Sequence, residues 1–322
     1  MMAVYTKLTK EEISHHLKNY QFGELVGFKE IVDGIDNSNF IIETTQGRFI
    51  LTIFEARIDK SQLPFFINFK LHLANKGIFC PRPILDNKGQ AITDLKNKKS
   101  AIVSFLSGAT LKSRPDGYYD TITPSHCFEV GKQLAKMHEA AMDFSMQREN
   151  EIGVKGFRAL FSKFENLVEG YQVNLRSEIL DGLDFLEKNW NHDFPAAAVH
   201  IDLFPDNVFF DEKGKLSGVI DFYFAANDWL IYDFAVTANA WCFDEKNIFQ
   251  VEKFNQFLAG YEEIRKFSSA EKDFLKIALA AAAMRFLLTR LHDMFFTPKD
   301  SLVNIKNPQE YLAKLRFFRS QI

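Results

Sequence analysis

The stretch 199-VHIDLFPDNVFF-210 has the ends of a buried β-strand and a middle that no buried strand would carry. Val199, Val208, Phe209 and Phe210 are apolar, but His200, Asp202, Asp206 and Asn207 break the run, and Pro205 cannot continue a hydrogen-bonded ladder. Unpaired charge in an apolar surround is costly, so two carboxylates and an amide placed there need a chemical reason. Downstream, Asp211-Glu212-Lys213-Gly214 is a hairpin turn, and 219-VIDFYF-224 supplies an apolar strand that ends at Asp221. The turn folds the two strands back on each other. Asn207, before the first strand, and Asp221, at the end of the second, therefore meet at one end of the hairpin, and Asp202 on the loop leading in reaches the same point.

Two carboxylates and an amide oxygen converging from rigid supports suit a hard cation such as Mg²⁺, which keeps waters and binds substrate phosphates. ATP would complete that shell. This is the logic of kinase-type phosphoryl transfer: one Asp accepts or orients the acceptor hydroxyl, while an Asn and a second Asp hold the metal. Asp206 reads equally well as turn chemistry, and His200 as a brace for the loop.

The bulk numbers fit a small-molecule enzyme and exclude other classes. The chain has 322 residues, 47% hydrophobic and 25% charged, as an ordinary globular protein does. Its 34 Phe imply a ring-rich core. A net charge of −3, with basic residues scattered rather than striped, gives no footprint for nucleic acid. Cys80, Cys127 and Cys242 form no C-x-x-C pair, which argues against a disulfide framework or structural zinc and fits a reducing compartment. The N-terminus lacks a signal-peptide apolar core, and IALAAAAM (277–284) is too short to span a bilayer. A cytoplasmic protein without a membrane anchor is expected.

Along the chain, Thr9-Lys10-Glu11-Glu12 is a capping box that starts a short helix. GFKEIVDG, the hairpin NFIIETTQGRFILTIF turning at Thr45-Gln46-Gly47, and AITDLKNKKSAIVSFL carry strand signals. Between the last two, LPFFINFKLHLANKG reads as a helix with Pro64 near its start and Gly77 past its end. After 104-SFLSG-108 the character changes. TPSHCFEVGKQLAKMHEAA begins with Thr123 as cap and Pro124 at the first helical position. FRALFSKFENLVEGYQ and EILDGLDFLEKNW are helical, as is nearly everything beyond 245, and residues 199–224 are the one β interruption. The fold class is α+β with two lobes: residues 1–103 small and β-rich, a connector at 104–108, and 109–322 large and mainly helical. Clefts between such lobes commonly hold small molecules.

The strings VHIDLFPDNVFF and LSGVIDFYFAANDWLIYDFAV resemble the aminoglycoside-phosphotransferase-like branch of the protein-kinase-like fold. GIDNSNFIIET, FILTIFE, LPFFINFKLHLANKG, VIDFYFAANDWLIYDFAVTANAWC and MRFLLTRLHD look like the bacterial homoserine kinases of that branch, nearly end to end. The resemblance implies Mg²⁺-dependent transfer from ATP to the hydroxyl of L-homoserine, a step of threonine biosynthesis. It makes Asp202 the catalytic Asp and Asn207 and Asp221 the metal ligands. It makes Ser104, Phe105 and Leu106 the connector that meets adenine, and brings Gly34, Asn37 and Ser38 over the phosphates.

Two positions depart from the kinase-like pattern. Where the third strand offers the phosphates a Lys, this chain has Thr52, and the following helix has no Glu to pair with such a Lys. Phosphate charge must then be met by Mg²⁺, backbone N–H groups or another cation, with Arg48 and Arg57 as candidates. A zwitterionic acceptor needs both an anionic and a cationic partner. The candidates are Tyr223, Asp228, Tyr232, Asn239, Trp241 and Arg285, while His200 and Asp233 read as structural braces. The region after Asp221 is aromatic with scattered acids, which favours a small zwitterion over a polycationic aminoglycoside. The rival readings are another small-molecule kinase of the branch, or an ATP-binding protein of weak activity.

Overall fold

Local sequence chemistry sets the first half of the chain. A computed structural model describes residues 5–31, 37–55, 59–111, 122–298 and 305–322. Helix α1 (Lys10–Leu17) starts at the Thr9 capping box, with the Thr9 hydroxyl accepting from the Glu12 N–H and the Glu12 carboxylate accepting from the Thr9 N–H. Strands β1 (Leu25–Ile31), β2 (Asn37–Thr44) and β3 (Gly47–Phe54) follow, then α2 (Leu63–Asn75), β4 (Thr93–Leu95) and β5 (Lys98–Ser104). The sheet is antiparallel in the order β1-β2-β3-β5-β4. Gly77, at φ +80°, closes α2 in the left-handed conformation that only glycine takes without strain.

Alternation along these strands gives the sheet two unlike faces. Phe40, Ile42, Leu51, Ile53 and Ile102 pack against Ile13 and Leu17 of α1, and all are buried. Ser38, two residues before Phe40, points the same way. Asn39 and Thr52, which are register partners, lie on the opposite face.

The rest of the chain is mostly helical. Strand β6 (Ala109–Thr110) leads to α3 (Pro124–Ala141), α4 (Val154–Ser162), α5 (Val168–Tyr171) and α6 (Leu175–Asn189). The stretch FRALFSKFENLVEGYQ, expected as helical, holds parts of two short helices with a turn between. Next come β7 (Ala196–Val199), β8 (Val208–Phe210), β9 (Leu216–Val219) and β10 (Ala226–Trp229), and then α7 (Leu230–Trp241), α8 (Val251–Glu262), α9 (Ser269–Phe296) and α10 (Pro308–Arg319). Helices α3 and α8 approach so closely that a Cβ at Gly131 would meet the Phe257 carbonyl oxygen at 2.0 Å, and one at Gly260 the Phe128 oxygen at 2.0 Å. The abundant Phe fills this region: Phe234 packs on Phe257, Tyr261 and Phe267, with ring centroids 4.6–5.0 Å apart.

The chain divides into two compact units, one running to Ser107 and including Gly218–Ile220, the other comprising Gly108–Ser217 and everything from Asp221 onward. The fold is α+β, sheet-rich at its N-terminal end and helical beyond. Among the described residues, no helix is long and apolar enough to cross a membrane.

Two small sheets position the polar loop. Strand β7 pairs antiparallel with β10, Val199 opposite Ala226 and Ala196 opposite Trp229, a pairing the sequence reading did not anticipate. Strand β8 lies between β6 and β9. The loop 200–207 thus springs from β7 and returns into β8, while the segment 220–225 leaves β9 and enters β10. Both loops are anchored at each end by the same pair of sheets. The second strand of the hairpin stops at Val219, not at Asp221, because the backbone turns left-handed at Asp221 (φ 63°).

Candidate active site

The loop 200–207 is held by its backbone. Ile201 sits at φ 49°, a region unusual for any residue with a Cβ and most strained for a β-branched one. Its N–H donates to the Asp233 Oδ1 at 2.7 Å, and its carbonyl accepts from the Arg285 Nη1. Asp233 Oδ2 also accepts from the His200 N–H at 3.1 Å and bonds the His138 Nε2 at 3.0 Å. The other ring nitrogen of His138 bonds the Tyr261 hydroxyl at 2.7 Å. Burial alone would raise the Asp233 carboxyl, but the bond and charge of His138, with His200 and the Ile201 N–H, outweigh it and hold the group below its usual range.

Further along, the Asp202 N–H donates to the His200 Nδ1 at 3.2 Å, and the Leu203 carbonyl accepts from the Trp241 indole N–H at 2.8 Å. The Asn207 amide donates to the Asp202 carbonyl at 2.9 Å, which ties the two ends of the loop and leaves its own Oδ1 for another partner. Asp202 is partly buried, with its carboxyl pushed up to about 7: burial contributes most, Asp221 and Asp206 add to it, and Arg285 and Lys306 oppose it. Asp221 itself is exposed. Like charges brought together beside an amide oxygen are what a divalent cation would relieve, so the residues fit Mg²⁺. Among the described residues no three His, Cys, Asp or Glu side chains form a metal-holding group. A cation here would have Asn207 and Asp221 from the protein and would depend on water and phosphate for its remaining ligands.

The acceptor candidates separate by burial. Tyr232, Asn239, Trp241 and Arg285 are each 2% exposed or less. Asn239 donates to the Ala235 and Leu279 carbonyls, Trp241 to Leu203, and Arg285 to Ile201. The sequence reading offers these four as acceptor contacts; in the structure three of them hold backbone, and Trp241 and Arg285 act on the loop itself. Tyr223 and Asp228 keep partial access. Asp228 accepts from the Asn150 amide at 2.5 Å and the Trp229 N–H at 2.7 Å, with burial raising its carboxyl. Burial also raises the Tyr223 phenol, with Asp221 adding to the effect.

In the N-terminal unit, Gly34 and Arg57 lie outside the described residues. The buried Ser38 hydroxyl accepts from the Thr6 N–H at 3.0 Å and donates to the Glu55 Oε1 at 2.6 Å. Glu55, on the α1 face, also pairs with Lys98. This lysine–glutamate pair, missed by the sequence reading, is thus on the face opposite Thr52. The Thr52 hydroxyl donates to Asn39 Oδ1 at 2.8 Å, and the Asn37 Oδ1 accepts from the Glu55 N–H at 3.4 Å. Ser104 is tied to Arg82, its N–H donating to the Arg82 carbonyl and its hydroxyl accepting from the Arg82 N–H, both at 2.9 Å. Arg48 lies 4.2 Å over the Phe105 ring, and Leu106 packs where a Cβ on Gly218 would sit, 2.4 Å from its Cδ1.

Residues 27–267 match the phosphotransferase enzyme family. The chain is 41% identical over 319 residues to a homoserine kinase of Rhizobium meliloti, covering 99% of this chain and 95% of that one. It is 43% identical over 319 residues to a homoserine kinase of Agrobacterium fabrum, covering 99% and 96%. Among solved structures it is similar to amicoumacin kinase in complex with AMP-PNP, Ca²⁺ and its ligand, with TM-score 0.66 and 15% identity over 98% of this chain and 93% of that one. It is also similar to a spectinomycin phosphotransferase in complex with ADP and spectinomycin, with TM-score 0.65 and 14% identity over 98% and 95%. At those identities the structures speak for the fold alone.

Proposed function

The chain belongs to the phosphotransferase enzyme family, and within it we propose that it is an ATP:L-homoserine O-phosphotransferase, acting with Mg²⁺ in the cytoplasm in the supply of threonine. The observation that carries the reading is the 41% and 43% identity to curated homoserine kinases across nearly the whole chain. Asp202 and Asn207 on a backbone-held loop, with Asp221 on the segment 220–225, support it.

In this reading the N-terminal lobe, 1–103, holds the nucleotide. Asn37 and Thr52 contribute there, with Asn39 added by its place beside Thr52. Ser38 drops out as a side chain because its hydroxyl is spent on Thr6 and Glu55. Ser104, Phe105 and Leu106, in the connector 104–108, offer backbone to the adenine. The lobe 109–322 brings the acceptor, near Tyr223 and Asp228. Asp202 orients the acceptor hydroxyl and takes its proton as the oxygen attacks the γ-phosphorus. A carboxyl poised near neutrality can do both. Asn207 and Asp221 would hold Mg²⁺, which when bound neutralises charge on the phosphate oxygens.

An ATP-consumption assay over homoserine, serine, choline and kanamycin tests the assignment. Turnover is expected with homoserine alone. Turnover with another acceptor in its place would move the chain to a neighbouring specificity of the same family. Asp202→Asn should lower kcat by about 10²–10⁴ with ATP binding kept. Full activity in that variant would remove Asp202 from the chemistry.

A further inference from the structure

We propose that Lys306 determines acceptor specificity by binding the carboxylate of the amino-acid acceptor, an inference that rests on the homoserine reading above. Lys306 immediately precedes Asn307, the cap of α10. Its Nζ lies 5.2 Å from the centroid of the Phe204 ring, and Phe204 is two residues beyond Asp202 on the same loop. That ring is fixed edge-on against Phe286 of α9, with centroids 5.1 Å apart. Phe286 adjoins Arg285, which holds the Ile201 carbonyl. The ammonium is therefore held over the Phe204 ring of the loop that presents Asp202, and the Asn307 carbonyl next to it is fixed by Arg290 of α9.

Its partners make the assignment specific. Lys306 is exposed, and it makes no hydrogen bond or ion pair with any described residue. It still lies within electrostatic reach of Asp202, whose ionised form it favours. The neighbouring cations are buried or bonded to the chain, with the Arg285 Nε buried and without a partner among the described residues. Arg285 is 2% exposed and donates to Ile201. Arg290 bonds Glu310 and the Asn307 carbonyl, and Arg148 bonds the Phe224 and Ala225 carbonyls. A solvent-borne acceptor can reach Lys306, not Arg285.

The chemistry of the acceptor matches this placement. With its hydroxyl at Asp202, an amino acid such as homoserine carries its carboxylate a short aliphatic chain away. A cation beside Asp202 but not paired with it meets that group, and the Phe204 ring offers apolar surface to the methylenes between. The acceptor ammonium then falls to the acids, with exposed Asp206 on the same loop and partly accessible Asp228 as the candidates.

The test is steady-state kinetics of wild type, Lys306→Ala and Lys306→Arg on L-homoserine and on 3-aminopropan-1-ol, the same amino alcohol without its carboxylate. Lys306→Ala is expected to raise KM for homoserine roughly 10–100-fold, the range of a hydrogen bond between charged groups. Its kcat, its KM for ATP and its kcat/KM for aminopropanol should stay near wild type, so the preference for homoserine collapses. Arginine should restore most of it. Because the side chain is exposed, thermal unfolding of the variants should match wild type. An unchanged KM for homoserine would overturn the proposal. So would an equal loss on both acceptors, or a fall in kcat on both with KM unchanged, which would assign the charge to the phosphoryl group. A wild-type enzyme that ignores homoserine would instead overturn the substrate reading, and that is seen before any variant is made.

Discussion

At the scale of single residues, the site is a case of strain held in place by hydrogen bonds. Ile201 adopts φ 49° with its side chain fully buried. The left-handed conformation costs an L-residue roughly 1–2 kcal/mol, which argues for glycine at this position. Removing a buried Ile side chain costs about 2–5 kcal/mol, and that term is larger. Ile201→Gly should therefore destabilise the protein, by up to about 4 kcal/mol in urea unfolding, and it should lower kcat as well, since Asp202 is the next residue. A variant as stable as wild type would mean that the strain, not the packing, dominates here. The neighbouring positions show what sequence could reveal. Ser38 has the alternation phase of the buried Phe40 and Ile42, so period-two reading alone separates it from Asn37 and Asn39. Asp233 reads as a brace in the sequence, and its carboxylate accepts from the His200 and Ile201 N–H groups. Lys306 carried no signal, because an isolated lysine between Ile305 and Asn307 matches no pattern and only the folded chain brings it over Phe204.

At the scale of elements, capped and periodic segments were legible and short ones were not. Helices α1 and α3 announce themselves by Thr9 and by Thr123-Pro124. Strands β6 and β10, of 2 and 4 residues, are too short to show a period, and β10 is defined by its pairing with β7 rather than by its own side chains. Helices α9 and α10 are tied by an ion cluster that sequence spacing only half reveals. Glu310 and Lys314 are one turn apart at 2.6 Å, but Arg290 reaches Glu310 from α9, also at 2.6 Å. Lys314 is 3% exposed and also donates to the Asn239 carbonyl at 2.9 Å. Burial would raise the Glu310 carboxyl, yet Lys314 and Arg290 together bring it from 4.5 to about 2. A depressed carboxyl stabilises the fold above its unfolded pKa and loses that contribution as pH falls through the folded one. The cluster should thus contribute about 3 kcal/mol above pH 5, at 1.36 kcal/mol per unit, and lose it between pH 5 and 2. Glu310→Gln should be destabilised by about 3–5 kcal/mol at pH 7, because it leaves buried Lys314 without its partner. The gap to wild type should narrow as pH is lowered. Urea unfolding of both proteins at pH 7, 5 and 3 checks this, and a gap independent of pH would show that the cluster is not what holds α10.

At the scale of the whole molecule, the order hairpin, helix, hairpin and then helices could be read from the chain, because turn residues and apolar period alternate cleanly through the first 100 or so positions. The set Asp202, Asn207 and Asp221 is conspicuous in the sequence because its acids stand in an otherwise apolar stretch, whereas nothing in the sequence separates acceptor contacts from core. Tyr232, Asn239, Trp241 and Arg285 have the composition of a pocket and the burial of a core, and composition cannot separate the two. In the proposed reading, what joins the loops to function is the nucleotide with its metal, and that coupling would be measurable as stability. A ligand that binds only the folded state stabilises it by about 2.7 kcal/mol at a hundredfold excess over Kd. For a chain of 322 residues this corresponds to a rise of a few degrees in Tm. ATP with Mg²⁺ should give that rise, and ATP with EDTA most of it lost, if the ion links the phosphates to Asn207 and Asp221. The informative variant is Asp221→Asn rather than alanine. Asparagine tolerates the left-handed backbone at φ 63°, so the change removes charge without adding strain. Measured against its own Tm without ligand, since the lost charge also acts on Asp202, the increment that Mg²⁺ adds to ATP should shrink or vanish. A full magnesium-dependent increment in Asp221→Asn would take this residue out of the proposed metal site, leaving Asn207 as its one protein ligand and the anchoring of the two loops on the same pair of small sheets to be explained by folding alone.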